Sequence, residues 1–463
     1  MKTWSLALRN LLRNRRRSMT TLMAMTIGLV AILIFGGYRS NISYGTETGL
    51  VQSGGHLQIQ HLGYFREGGD NPTAYGIPDY LQIMQTLRND PVLAPLLNMV
   101  TPTLQLGGLA GNFSAGISRS VMAVGVDVTP YNQMLGWNDY GIISYAKPLP
   151  LQGTQPDAVV LGEGVARKLG LCESLQVPRC TPSGVQPAPQ QGHAIAPDIA
   201  ALSELEAVAV PKENGTRIEL LASTAHGAPN VASLNVVQAK NMGIKAIDDM
   251  YMAMHLAQAQ KLIYGSNPPQ VTAILLQLQH TGQIAQARAR VNELLLTRFK
   301  GEPLEVLDFV ELNPMYPQTM QFMDSMFGFI ATLLGVIVLF TIGNTMSTAV
   351  VERTVEIGTL RAMGLNRSGL RRLFVCEGLL LGAAGSVLGL LVAAVIAYLI
   401  NHSGLSWTPP GYSYSYRIMV LLGQAPGLIF GCVLGLIVVT LVSAWLPAHR
   451  ASKLVIVEAL RHV

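Results

Sequence analysis

Residues 350–374, VVERTVEIGTLRAMGLNRSGLRRLF, place two glutamates and five arginines between two long apolar runs. The runs on either side, 326–351 and 374–400, each reach the roughly 18–20 apolar residues that carry a helix across a bilayer core. So short a charged stretch between two such runs reads as a hairpin at a membrane surface. Runs 19–35 and 428–446 have the same character. The chain of 463 residues is only 13% charged, against about 25% in an ordinary soluble domain, and these runs account for the deficit.

Charge also orients the chain, because Lys and Arg in short flanking loops stay cytoplasmic. The N-terminal tail (Lys2, Arg9, Arg13, Arg15, Arg16, Arg17), the link (Arg353, Arg361, Arg367, Arg371, Arg372) and the C-terminal tail (Arg450, Lys453, Arg461) share one side if four helices cross. The first run exceeds the ~7–15 residues of a signal-peptide core and no A-x-A-like site follows, so we read a retained helix. The expected order is a basic amphipathic lead-in 1–18, membrane helix 19–38, an outer domain 39–321, helix 322–351, a cytoplasmic link 352–373, helix 374–400, an outer loop 401–427, helix 428–446 and a cytoplasmic tail 447–463. The fold class is membrane α-helical, four transmembrane helices with a large α+β extracytoplasmic domain between helices 1 and 2. The net charge of +5 is then a topology signal. Basic residues hugging helix ends, without interleaved aromatics, speak against nucleic acid as a partner.

In the outer region, GGHLQIQHL alternates Leu57 and Ile59 with Gln58 and Gln60, as a strand does, and RSVMAVGVD is β-rich. IPDYLQIMQTLRND, LGEGVARKLGL, LAQAQKLIYG and IAQARARVNELLLTRF carry helical periodicity. Strand, helix and strand from residue 271 through LEVLDFVEL suggest an α+β layer. A Pro/Gln-rich stretch at about 177–217 reads as an exposed insertion. Cys172 and Cys180 lie outside, where an oxidising compartment permits a disulfide, whereas Cys376 and Cys432 fall in apolar helices as packing residues.

Enzyme motifs are absent. No Gly precedes a Lys, which removes the Walker A phosphate loop; no His precedes a Glu, which removes H-E-x-x-H; and no G-x-S-x-G occurs. His56 and His61, on a predicted strand, read as surface residues. Asp248 and Asp249 would point to opposite faces of a strand. Two cysteines without a nearby His pair make a poor zinc site. No catalytic group and no metal site is expected.

If the helix ending at 351 continues to 360, Glu352 and Glu356 share one face, with Arg353 in reach of Glu356. Gly364, Asn366 and Gly369 then break it. The link is either a solvated hairpin that fixes topology or a docking knob, its apolar tip Met363 and Leu365 ringed by charge. Glu377 is expected at the membrane interface, paired with Arg371, Arg372 or a partner. Gly378, Gly382, Gly385 and Gly389 on the third helix, and Gly427, Gly431 and Gly435 on the fourth, stand at small-xxx-small spacing for close helix packing.

NTMSTAVVERTVEIGTLRAMGLNRSGLRRLFVCEGLLLGAAGSVLG resembles the signature of the FtsX-like permease domain shared by MacB-type and lipoprotein-release (Lol-type) ABC transporter subunits. ALRNLLRNRRRSMTTLMAMTIG is similar to that family's lead-in, and WLPAHRASKLVIVEALRH to its closing motif, with His449 and Ile456 departing from it. GGHLQIQHLGYF, VMAVGVD, VVLGEGVARKLGL and IDDMYMAMHLAQAQKLI resemble the family's outer domain in pieces. The resemblance implies that the link is a coupling helix seated on a separate cytoplasmic P-loop ATPase dimer, with Glu352, Arg353, Glu356, Arg361, Met363, Gly364, Leu365 and Arg367 at the contact. It implies ATP and Mg on that partner and no cofactor on this chain, a second permease subunit, a lipid membrane environment, and a periplasmic carrier or adaptor. Since the chain begins at the permease, its architecture resembles Lol-type subunits. The expected function is mechanotransmission in a Gram-negative inner membrane, releasing lipoproteins or another amphipathic cargo. The alternatives are MacB-like tripartite efflux, FtsX- or Bce-like regulation of a periplasmic hydrolase or peptide sensor, and a membrane-anchored binding or enzymatic domain.

Overall fold

The structure, a computed structural model, describes residues 3–13, 15–69, 71–178, 180 and 215–453. Most of the insertion expected at 177–217, and the part of the closing motif that holds Ile456 and Arg461, lie outside the described residues. In chain order the helices are α1 (Thr3–Arg13), α2 (Arg15–Gly54), α3 (Tyr64–Glu67), α4 (Tyr80–Arg88), α5 (Val128–Met134), α6 (Glu163–Lys168), α7 (Lys245–Asp248), α8 (Leu256–Tyr264), α9 (Ile284–Arg298), α10 (Phe309–Leu312), α11 (Met315–Glu352), α12 (Thr354–Ala362), α13 (Arg367–Ser403) and α14 (Pro426–Ser452). The strands are β1 (Leu57–His61), β2 (Leu97–Asn112), β3 (Ile117–Val126), β4 (Ala158–Gly162), β5 (Arg217–Ser223), β6 (Pro229–Lys240), β7 (Tyr251–His255), β8 (Ala273–Leu278) and β9 (Leu304–Asp308), with a two-residue pair β10 (Ser406–Trp407) and β11 (Tyr416–Arg417).

The chain divides into two compact units. One comprises Met1–Thr46, Met315–Trp407 and Tyr416–Val463. Four of its helices, α2, α11, α13 and α14, are long and apolar enough to cross a membrane. They share a core of Met25, Leu29, Leu33, Val338, Ile342, Met346, Leu381, Ala393 and Leu436. Outward-facing Phe329, Phe340, Leu391 and Phe430 stay exposed, as lipid-facing side chains do. At ~1.5 Å per residue, the 40 residues of α2 extend roughly 60 Å, about twice a ~30 Å hydrocarbon core. Helix α11, 38 residues long, is similar. Both continue through polar sequence that hydropathy alone assigns to the outer domain. Arg39 and Asp324 pair at 2.6 Å between these extensions.

The second unit comprises Glu47–Pro314 and Thr408–Ser415. Among the described residues its nine strands form one sheet, in the order β3-β7-β4-β6-β5-β2-β8-β1-β9, and β2 also pairs with β3. That extra pairing closes six strands into a ring. The 16-residue β2 makes this possible: its later half pairs with β3 and β5 and its earlier half with β8. Leu104, Leu106, Val121, Leu161, Ile218, Leu234 and Met252 fill the ring's core, and α6 and α8 add Val165, Ala166, Leu262 and Ile263. The remaining strands run antiparallel in the order β2-β8-β1-β9. With α4 after β1 and α9 after β8 they form a split βαβ layer. Its core joins Leu57, Ile59, Leu276 and Val306 to Ile83, Leu87, Val291 and Leu294.

Two sequence readings change here. His56 is fully buried, not a surface residue. Its Nδ1 accepts the Leu278 N–H at 2.9 Å, and its ring meets Trp137 edge-on at 4.8 Å. Burial pushes its pKa down to about 4. Asp248 lies in α7 rather than a strand, is 1% exposed, and accepts the Met242 N–H at 2.7 Å. The loop Thr408–Ser415 packs beside it: Ser413 donates its hydroxyl to Asn241 Oδ1 at 2.6 Å and its N–H to the Gly243 carbonyl at 2.8 Å. Tyr414 stacks on Tyr145 with centroids 5.4 Å apart.

Candidate coupling site

Helix α11 does not run on through the link. It ends at Glu352; Arg353 leaves helical geometry at φ −104°, ψ 16°, and α12 starts afresh at Thr354. The continuation to residue 360 considered from the sequence is therefore not met, and the break accompanies an inward turn of the Arg353 side chain. After α12 the chain reverses at Gly364, whose φ of +100° disfavours any side chain. Asn366 then caps α13, accepting the Gly369 N–H at 2.8 Å.

Ile357 fastens α12 to a small core of Val350, Leu370, Phe374, Ala448 and Ala451, against which Leu365 packs. Leu365 thus faces partly inward rather than standing at the tip with Met363. Met363 is 71% exposed; Val355, Thr359, Gly364 and Arg367 are also exposed, and Arg361 is partly buried. These groups make up the outward face of the link.

Both glutamates of the link already have partners within the chain. Arg13 meets both carboxylate oxygens of Glu356, at 2.5 and 2.6 Å, and Arg17 Nη1 meets Glu352 Oε2 at 2.9 Å. A second Arg17 nitrogen donates to the Thr345 carbonyl. Two acids four residues apart therefore face two arginines four residues apart, bracing the lead-in against the link. All but Arg17 are half-exposed, so each pair contributes at most about 1 kcal/mol in water.

Beneath the brace lies a buried polar cluster. Arg353 is 8% and Glu377 3% exposed. Arg353 Nη1 stands 3.5 Å from Glu377 Oε1, Asn10 Nδ2 donates to the same oxygen at 2.7 Å, and Arg353 Nη2 donates to the Asn10 carbonyl at 3.1 Å. Arg353, expected on the docking face, points inward instead. Glu377, expected to pair with Arg371, Arg372 or a partner, pairs with Arg353 and Asn10. The reason is α1, which lies against α13 and closes over the carboxylate. Asn10, Arg13 and Arg17 were not singled out in the sequence as site residues; the signal was the matched spacing of Arg13 and Arg17 with Glu352 and Glu356.

The glycines separate into two groups. A Cβ on Gly378 or Gly382 would come within 2.8 Å of Ala444 or 2.6 Å of Thr440 on α14; on Gly385 or Gly389, within 3.1 Å of Met25 or 2.7 Å of Leu29 on α2. Gly427, Gly431 and Gly435 have nothing within 4 Å, so they do not pack against the described chain. Cys172 and Cys180 are joined in a disulfide. Among the described residues no group of three or more His, Cys, Asp or Glu side chains could hold a metal.

The stretch from inside α11 through α14 is decided by one comparison. Residues 327–456 match the family described as "FtsX-like permease C-terminal". The chain carries an FtsX-like permease domain. The link, its core and both glutamates lie inside it. The ABC transporter permease YtrF of Bacillus subtilis is 33% identical over 143 residues, covering 29% of this chain and 30% of YtrF. A Macrolide export ATP-binding/permease protein MacB from Hyphomonas neptunium is 26% identical over 190 residues, covering 41% of this chain and 27% of that protein. A Pyoverdine export ATP-binding/permease protein PvdT from Pseudomonas putida is 26% identical over 199 residues, covering 43% and 28%. The matched regions thus span about a third or less of these relatives. Among solved structures, the periplasmic region of MacB from Actinobacillus actinomycetemcomitans covers 58% of this chain at 11% identity, with a TM-score of 0.31.

Proposed function

We propose that this chain is the membrane subunit of an export-type ABC transporter that works by mechanotransmission, with ATP hydrolysed on a separate P-loop ATPase. The observation that carries the reading is the link built on α12, a short helix set between two membrane-crossing helices inside the FtsX-like domain: Val355 on α12, Met363 just past its end and Arg367 at the start of α13 are exposed. A partner seated there moves α12, and α12 is fastened to α13 and α14 by its own core. The length of α2 and α11 supports carriage of that motion to the outer side. The ATPase binds ATP and Mg; this chain binds neither. A second permease subunit, identical or homologous, pairs with it, because two ATPases enclose two nucleotides.

The cargo in this reading is a lipoprotein or another amphipathic molecule taken from a bacterial inner membrane, with both chain ends cytoplasmic and the outer unit periplasmic. A second reading, tripartite efflux, is favoured by the relatives named for macrolide and pyoverdine export. Regulation of a periplasmic hydrolase or peptide sensor is the third.

The test is affinity purification of the solubilised chain from its native membrane, with co-purifying proteins identified by mass spectrometry. A stoichiometric P-loop ATPase is expected, and Met363→Asp is expected to remove it. A lipoprotein carrier, an adaptor with an outer-membrane duct or a hydrolase among the companions selects among the readings. Reproducible absence of any ATPase, where a known complex of this kind survives, overturns the proposal.

A further inference from the structure

Strand β1 turns Leu57 and Ile59 into the helix-covered core and Gln58 and Gln60 to the opposite face. That face opens on a cavity of about 470 Å³ where α2, α3 and α10 meet the sheet. Its polar lining is made of four amides, Gln58, Gln60, Gln105 and Asn313, and the hydroxyls of Ser53 and Tyr64, with Phe65 beside them. No charged side chain lines it among the described residues.

The hydrogen bonds here leave one group unanswered. Gln58 Nε2 donates to the Gly54 carbonyl at 2.9 Å, so Gln58 presents Oε1 to its neighbour. Gln60 Nε2 donates to that oxygen at 2.8 Å. The orientation of the Gln60 amide is thereby fixed, and the atom left over is its Oε1, an acceptor. Gln60 is 3% exposed and its Oε1 has no partner. A buried acceptor without a partner forfeits its hydration, so a molecule that donates to it is bound with gain. Tyr64 donates to Gln105 Oε1 at 2.9 Å, and burial raises its pKa, keeping the phenol protonated.

We propose that this cavity is a binding site for a neutral saccharide. A charged ligand would lose its hydration against walls that offer no counter-charge. A pyranose instead brings hydroxyls that donate to Gln60 Oε1 and accept from neighbouring amides, together with a C–H face for the partly exposed Phe65 ring. The cavity lies within the ~300–1,000 Å³ range of small-molecule sites, far above the ~30 Å³ share of one water. The site lies wholly within the outer unit and makes no use of α12.

The test uses the full chain in lipid nanodiscs free of glycoside detergents, titrated with maltose and with N,N′,N″-triacetylchitotriose, binding being read by calorimetry and saturation-transfer NMR. We expect saturable binding of at least one probe. Preference for maltose marks a soluble sugar, and preference for chitotriose an N-acetylated envelope glycan. Gln60→Leu should weaken binding at least tenfold while the ligand-free melting temperature changes little, since it removes an orphaned acceptor while Gln58 Oε1, which loses its donor, lies at the cavity wall. Gln85→Leu, on the exposed face of α4, should leave binding unchanged. Should Gln60→Leu fail to fold, Gln105→Leu serves the same comparison. Absence of saturable binding by both probes, binding indifferent to these cavity variants, or displacement of the sugar by triglycine overturns the proposal.

Discussion

The Arg353 guanidinium and the Glu377 carboxylate lie 3.5 Å apart, both buried, at the place where α11 gives way to α12. They join the start of the link to α13, and Asn10 brings the lead-in to the same oxygen. Removing either charge alone strands the other in a dry site. Glu377→Ala should destabilise the solubilised protein by about 3–5 kcal/mol, whereas Arg353→Met with Glu377→Leu should recover most of it. Thermal unfolding followed by size-exclusion fluorescence reads both, and equal loss in the single and double variants refutes the account.

The outer brace makes a different prediction. Under the proposed coupling role, Glu356→Arg should leave membrane insertion intact, cost at most about 1 kcal/mol in stability, and lower the activity of the ATPase proposed as partner. Adding Arg13→Glu should restore coupling if the carboxylate acts through Arg13. No recovery in the swapped pair would mean that Glu356 meets the ATPase directly, as the sequence reading had it.

The two groups of glycines predict opposite tolerance. Gly382→Val and Gly389→Val should each lower stability by about 1–3 kcal/mol, because overpacked contacts shift backbone or side chains. Gly431→Ala should be neutral in the isolated subunit. If it unfolds that subunit, the open face assigned to this glycine is wrong.

Acid should weaken the outer unit through His56. Its pKa is depressed from the usual 6.5 to about 4, so the stabilisation is whole above about 6.5 and is lost as pH falls towards 4. The span corresponds to roughly 3 kcal/mol. Protonating Nδ1 would oppose the Leu278 N–H it now accepts. A His56 ring resonance that titrates near 6.5 in the folded protein refutes this. Asp90, held low chiefly by Arg290, adds loss of the same sign at still lower pH.

Hydropathy showed the membrane helices because sustained apolar runs need no partner to be read. It underestimated α2 and α11 because their upper turns are amphipathic and polar, and helicity there has no sign in composition. β1 was legible from the alternation of Leu57 and Ile59 with two glutamines. His56, one residue before it, was not, since its burial depends on Leu278 and Trp137, more than 80 residues away in the chain. The link was visible as a charge island, yet the roles of Arg353 and Glu377 turned on α1, which periodicity cannot place against α13. The closure of six strands was equally hidden: it rests on the length of β2, not on any motif.

The eight residues Thr408–Ser415 belong to the outer unit although they are encoded about 100 residues after its main body ends at Pro314. The unit is therefore not an interval of sequence. A fragment cut at 47 and 314 to make a soluble domain would leave Asn241 and the Gly243 carbonyl without Ser413, and Tyr145 without its stacking partner. Such a fragment is an excised part with a missing staple. The same geometry offers a remedy: a short flexible graft carrying 408–415 should raise its melting temperature and make it the better reagent for binding studies.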